Sequence, residues 1–315
     1  MMNKKGGIFG SILLILLLAV LGVSIYYLYQ FWPREPVDLQ NVRTDEPAIV
    51  QNDVPSAQFY QRMRYQDRFI TYSIADSCSP DRVSSMQEAF ANIESLTVLD
   101  FEPSAESNSM IKILCSDIAP EAGQEDYFVA GEGGPSRVLN STLYSIILEG
   151  KIALYRDDSC DGPKVATHEL LHALGFDHNN RQNSILYPTL KCSQEIDPEI
   201  IQSINKLYAP ESLPDLVFFT TSATKSGRYL NFNIEVLNQG LRESGVTDVG
   251  VYADDEFIEN FDIGAISVGA RKILTVENLK VPNDATTIVF VVDEDNNIQE
   301  LFENNNQATL RLVQQ

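Results

Sequence analysis

Apolar and polar positions divide this chain into three patterns. From Gly6 to Pro33 no residue is charged, and Ile8 to Tyr29 is almost wholly apolar. At about 1.5 Å per residue, a helix over this run spans a hydrocarbon core of about 30 Å. Residues 59–212 instead mix two periods. Arg68 to Ile74 alternates as a strand does, and Ile111–Leu114 and Lys151–Tyr155 give further strands. Between the first two, Ser79-Pro80-Asp81 reads as N-cap, first-turn proline and first-turn acid. Val83, Met86, Phe90, Ile93 and Leu96 follow at helical spacing, as core positions. From Leu213 onward only alternation remains, as in Tyr229–Val236 and Thr287–Val292. Turn signals at Asn238-Gln239-Gly240, Asp254-Asp255, Pro282-Asn283-Asp284 and Asp295-Asn296-Asn297 break it, which predicts an all-β sandwich.

Four segments follow from these patterns. Residues 1–30 are a short tip and a transmembrane anchor. Residues 31–58, rich in Pro, Asp, Asn and Gln, are a flexible spacer. Residues 59–212 form a mixed α+β unit large enough for one buried core, and residues 213–315 a β-sandwich. Lys4 and Lys5 precede the apolar run, whereas Arg34 after it sits beside Glu35. The positive-inside rule therefore puts the N-terminus in the cytoplasm and the remainder outside a single-pass cell membrane. Tyr26, Tyr27, Tyr29 and Trp32 suit the interfacial belt. A cleaved signal peptide is the competing reading. Its apolar stretch is usually shorter, and no small-x-small site follows this one.

A net charge of −21 argues against nucleic acid as a partner and against an ectodomain lying flat on anionic lipid. The four cysteines, all between residues 59 and 212, agree with an oxidising exterior.

The chemistry gathers in one place. His168, His172 and His178, the only histidines, lie within eleven residues. Positions i and i+4 share a helix face about 6 Å apart along the axis, so His168 and His172 can turn two imidazoles toward one ion. Gly175 can end the helix in the left-handed conformation, and His178 can return as a third ligand. Three nitrogen ligands leave a fourth tetrahedral position for water, which is the pattern of catalytic rather than structural zinc. Glu169 neighbours the first ligand without binding the ion. A carboxylate there can take a proton from water that zinc has acidified toward about pKa 7, then pass it to a leaving amine.

The run His168-Glu169-Leu170-Leu171-His172-Ala173-Leu174-Gly175-Phe176-Asp177-His178 resembles the HExxHxxGxxH motif of metzincin zinc metallopeptidases. Ser184-Ile185-Leu186-Tyr187-Pro188 occupies the place of that clan's methionine turn, with Leu186 where the family has methionine. Such a swap usually costs under about 1.5 kcal/mol, so an apolar floor survives. The following Tyr187-Pro188 is similar to the matrixin branch, and Leu186, Tyr187 and Pro188 are expected beside the substrate cleft. The resemblance covers roughly residues 59–212. It implies a mixed twisted sheet plus an active-site helix, one catalytic zinc ion, and protein or peptide substrates. Val236-Leu237-Asn238-Gln239-Gly240, Val251-Tyr252-Ala253-Asp254-Asp255 and Glu300 through Asn306 make residues 213–315 resemble the cell-adhesion-related CARDB domain, an immunoglobulin-like module of prokaryotic surface proteins, with a surface ligand as its implied partner.

Four cysteines allow three pairings. Cys78 and Cys115 each follow a strand joined by a crossover helix. Cys160 precedes the zinc helix and Cys192 follows the Leu186 turn. Cys78–Cys115 and Cys160–Cys192 are the expected bridges. The spacer has no cysteine to latch the metal. Calcium could be held by the Asp293–Asn297 and Glu303–Asn306 clusters, though neither has an EF-hand spacing. The expected function is a membrane-anchored extracellular zinc endopeptidase whose activity fades below about pH 6, where imidazoles protonate. The alternative is a surface adhesion protein with a vestigial protease domain.

Overall fold

The computed structural model describes residues 7–31, 35–41, 57–121 and 128–312. Lys4, Lys5 and Trp32, together with most of the expected spacer, lie outside them. Helix α1 (Gly7–Phe31) contains a stretch, Ser11–Tyr29, that is long and apolar enough to cross a membrane, and none of it is buried against the rest of the chain. Strand β1 (Val37–Asn41) comes next.

The first globular unit runs through β2 (Met63–Tyr65), β3 (Phe69–Ile74), α2 (Pro80–Leu96), β4 (Asp100–Pro103), β5 (Ile111–Cys115), β6 (Gly131–Asn140), β7 (Ser145–Leu154), α3 (Lys164–Ala173) and α4 (Pro198–Leu207). Its sheet has the order β2-β7-β5-β3-β4, all parallel, and β6 pairs antiparallel with β7 off this path. Helix α2 starts where expected: the Ser79 hydroxyl accepts from the Arg82 amide, and Pro80 opens the first turn. Its buried face, Met86, Phe90 and Ile93, packs on the sheet, with Phe90 stacked on Tyr72 at 4.1 Å. That core continues into Leu170, Leu171 and Leu174 around α3. Fixing α3 to the sheet therefore fixes the histidines. Two disulfides, Cys78–Cys115 and Cys160–Cys192, join the pairs expected from the sequence.

The second unit comprises β8 (Leu216–Ser226), β9 (Tyr229–Asn238), β10 (Val246–Ala253), β11 (Glu256–Ala265), β12 (Arg271–Lys280), β13 (Thr287–Val292) and β14 (Gln307–Leu312). Two antiparallel halves, β11-β10-β13-β14 and β8-β9-β12, face each other across an apolar core in which Phe232 and Phe290 meet at 4.9 Å. The halves are not separate sheets. Strand β1, drawn from the stretch expected as spacer, pairs with both β14 and β8 and links them into one path of eight strands.

Polar contacts connect the two units. Gln66 Nε2 donates to the Leu241 carbonyl at 3.1 Å and the Ser141 hydroxyl to the Gln239 carbonyl at 3.1 Å, while Arg242 pairs with Asp67 at 2.9 Å.

Candidate metal centre

Helix α3 is fastened at its start by Asp158, whose carboxylate accepts from the Val165 amide at 2.8 Å and the Cys160 amide at 3.1 Å. Its length places His168 and His172 on one face, both buried. The helix ends at Gly175, which has φ +96°. That region of backbone space suits glycine, and a Cβ there would also lie 2.6 Å from the Met63 side chain. The chain turns, the Asp177 amide donates to the Ala57 carbonyl, and His178 comes back toward the helix.

The three Nε2 atoms form a nearly equilateral triangle, with His172–His168 at 3.0 Å and both contacts to His178 at 3.2 Å. These cannot be three ordinary hydrogen bonds. His168 Nδ1 lies against the Ile185 carbonyl, and His172 Nδ1 against the Phe176 carbonyl at 2.7 Å. A carbonyl oxygen only accepts, so both Nδ1 atoms carry a proton, and in the neutral ring each Nε2 is then a bare lone pair. Lone pairs aimed at one point repel unless a cation sits between them. The triangle's edges also approach the roughly 3.3 Å edge of a tetrahedron with zinc–nitrogen bonds of about 2.0–2.1 Å. The donor set thus fits zinc in number, atom type and size.

Burial reinforces this state. It holds the His168 imidazole at about 4, helped by the neighbouring His172 and His178. His172 and His178 are lowered too, again chiefly by burial. Neutral rings ready to donate a lone pair are the result. Glu169 moves the other way, pushed up to about 8 by burial first and by the charge of Glu132 second, with a backbone hydrogen bond from Gly133 opposing. A protonated carboxyl is what a buried, unpaired acid becomes without a nearby cation.

Strand β6 positions Glu169. A Cβ at Gly133 would come within 2.2 Å of the Glu169 carbonyl oxygen, and one at Gly131 within 2.7 Å of its Cγ. Only glycine lets β6 and α3 approach this closely, so the strand acts as a wall against the carboxylate. Glu132, between these glycines, accepts a hydrogen bond from the Tyr155 hydroxyl at 2.7 Å. Glycines inside a strand signal a close backbone approach, and that signal was present in Gly131-Glu132-Gly133-Gly134.

The Leu186 turn lies under the histidines. Its Ser184 hydroxyl accepts from the Leu186 amide at 3.1 Å, and the Ile185 amide donates to the Glu195 carbonyl at 2.8 Å. This fixes the Ile185 carbonyl that orients His168. Leu186 itself is fully buried in the core, whereas Tyr187 is half-buried and Pro188 exposed. A cavity of about 260 Å³ opens beside Leu186, lined also by Asn179, Arg181 and Glu199, and none of the three histidines lines it. The Cys160–Cys192 bridge ties the approach to α3 to the segment beyond this turn.

Among the described residues, no other group of three His, Cys, Asp or Glu side chains converges as these do. The clusters considered for calcium serve their own turns. The Asp293 carboxylate accepts from the Asn297 and Ile298 amides, and Glu303 Oε1 from the Glu300 amide.

The matrixin family model matches residues 64–209, a span holding all three histidines, Glu169 and both disulfides. The CARDB family model matches residues 213–310. The chain carries a matrixin domain followed by a CARDB domain. No curated protein matches the chain. Solved structures similar to it include the CARDB domain of a Pyrococcus furiosus protein in complex with di-metal ions. That one is 24% identical over 32% of this chain and 90% of its own, at a TM-score of 0.27. The solution structure of the Pyrococcus domain is 25% identical, covering 32% and 95%, at 0.28. A domain of a putative cell surface protein from Methanosarcina acetivorans is 17% identical, covering 33% and 94%, also at 0.28. The matrixin domain points to a zinc metallopeptidase, and the CARDB domain to a surface protein.

Proposed function

We propose that this chain is a membrane-anchored zinc endopeptidase facing the cell exterior. In this reading His168, His172 and His178 hold one zinc ion and Glu169 is the general base. The observation that carries it is the convergence of three Nε2 atoms, with the His168 and His172 rings oriented by Nδ1–H bonds donated to backbone carbonyls on the far side.

When bound, zinc supplies Lewis-acid activation of water and of a peptide carbonyl. The residues of the chain do the rest. Glu169 accepts a proton from the attacking water at a carboxylate oxygen and returns it to the leaving nitrogen. An ion held by the histidines would favour the ionised form that this requires, against the burial that raises its proton affinity. Strand β6 keeps the carboxylate from swinging away, its Gly131 and Gly133 lying against Glu169. Helix α1 serves as the anchor, with Lys4 and Lys5 on the cytoplasmic side. The CARDB domain contributes a surface-binding or spacing function.

The test is hydrolysis of casein or a quenched peptide by the purified protein, before and after chelation, alongside Glu169→Gln. That variant is expected to keep its metal and lose turnover by about 100-fold or more, the scale of a general base. Intact substrate in the presence of the correctly folded, zinc-loaded wild type would leave a surface adhesion protein with a vestigial protease domain.

A further inference from the structure

Strand β1 precedes the matrixin domain in sequence, yet it lies in the sheet of the domain that follows. Val37, Asp38 and Leu39 pair with Lys225, Thr224 and Ala223 of β8. Leu39, Gln40 and Asn41 pair on the other side with Leu312, Arg311 and Leu310 of β14. The strand alternates as a sheet demands. Leu39 is 6% exposed and joins the sandwich core, while Val37, Asp38, Gln40 and Asn41 are exposed. Asn41 adds a side-chain hydrogen bond to the Thr221 hydroxyl at 3.0 Å.

The other neighbour of β8 is β9, and the other neighbour of β14 is β13. Without β1, both strands would present open edges toward one gap, each a row of backbone donors and acceptors lacking strand partners. A five-residue strand with one apolar anchor fills that gap by β-augmentation, in which main-chain bonds give affinity and the alternate side chain gives register. The matched CARDB region begins only at residue 213, so this strand lies outside it.

We propose that the groove between β8 and β14 is a strand-acceptor site whose ligand is Val37–Asn41 of the same chain. The matrixin domain is then an insertion between the first and second strands of a completed sandwich, and the N-terminal helix is attached to the CARDB domain rather than to the peptidase. The link from Phe31 to Val37 is short, at most roughly 20 Å when fully extended. The CARDB domain is therefore held next to the end of α1. A further consequence is that cutting the chain between β1 and the matrixin domain does not free the ectodomain. It stays bound through the strand.

The experiment uses the full chain in detergent, with an affinity tag at the N-terminus and a site-specific protease site inserted between residues 45 and 50. After cutting, the tag is captured and the retained ectodomain is measured. Wild type is expected to keep its ectodomain on the resin, and Leu39→Asp to lower the retained amount at least about tenfold, since it places a charge in an apolar pocket. Hydrogen exchange on the uncut chain is the second readout, with the amides of 39–41, and those within 310–312 that bond to β1, protected in wild type and losing protection together in Leu39→Asp. That readout also works if the N-terminus is removed during export. An ectodomain that washes away after cutting of the wild type, or Leu39→Asp retained as well as wild type, would overturn the proposal. Exchange of strands between differently tagged copies would also overturn it, in favour of a partner in trans. Neither readout needs zinc or a membrane, so failure here leaves the peptidase reading intact, and failure of that reading leaves this one intact.

Discussion

Replacing Gly133 with alanine tests how the matrixin domain holds its proposed base. The new Cβ would sit 2.2 Å from the Glu169 carbonyl oxygen and 2.9 Å from its Cα. A tolerated carbon–oxygen approach is about 3.3 Å, so β6 and α3 must separate by about 1 Å. Both atoms belong to the helix backbone, which cannot rotate away, and the same helix carries His168 and His172. Overpacking of this kind costs about 1–3 kcal/mol, and misplacing a reacting group by about 1 Å costs about 100-fold in rate. Gly131→Ala meets instead the Glu169 Cγ at 2.7 Å and Oε1 at 2.9 Å, which are side-chain atoms that can move. It should spare stability and metal binding while displacing the carboxylate, for a comparable loss of kcat/KM. Gly134→Ala finds nothing within 4 Å and serves as the internal control. Thermal melting reads the first effect, at about 2–4 °C per kcal/mol for a domain of this size, and quenched-peptide turnover reads the second. A Gly133→Ala protein as stable and as active as Gly134→Ala would refute the claim that β6 buttresses Glu169.

Three further outcomes follow from the structure. In metal-free protein His168 is held at about 4 against an ordinary 6.5, so the unfolded chain takes up the extra proton. Stability is therefore full above about pH 6.5 and declines as pH falls toward 4; a melting temperature that rose over that window would contradict the assignment. Glu300 behaves oppositely. Burial pushes it up to about 7, even though it accepts from the Leu216 amide and from Asn306 Nδ2 at 2.7 Å. The folded state binds that proton more tightly, so the stability it confers is present below about pH 4.5 and is lost as pH rises through about 7. Glu300→Gln should flatten this part of the pH–melting curve, and an unchanged curve would show that another group causes it. Reducing Cys160–Cys192, which closes a loop with a sequence separation of 32, should destabilise the matrixin domain by about 2–4 kcal/mol. A Cys160→Ser/Cys192→Ser double variant with wild-type melting would exclude this.

The histidine centre could be read from the sequence because helix periodicity alone puts His168 and His172 on one face and Gly175 marks where the chain turns back. The disulfide pairs were legible from the strand ends and the Leu186 turn that they brace. The carbonyls of Phe176 and Ile185, which orient two of the rings, left no trace, since backbone oxygens have no residue signature. Strand β6 was hidden by its own composition. Its glycines and Pro135 resemble a turn, and the proximity of α3 explains why no side chain fits at Gly131 and Gly133. Strand β1 was read as spacer because Val37-Asp38-Leu39-Gln40-Asn41 offers a single buried position. Its partners lie far along the chain, and nothing local distinguishes such a strand from a polar linker.

The proposed chemistry requires three imidazoles gathered around one zinc ion. Its most direct measurement is a zinc titration of chelator-stripped protein, following metal content by elemental analysis and peptide turnover in the same samples. Turnover should rise in proportion to bound metal and level off at about one zinc per chain, with His172→Ala binding none tightly. Full turnover without metal, or a folded protein that takes up no zinc at all, would contradict the account.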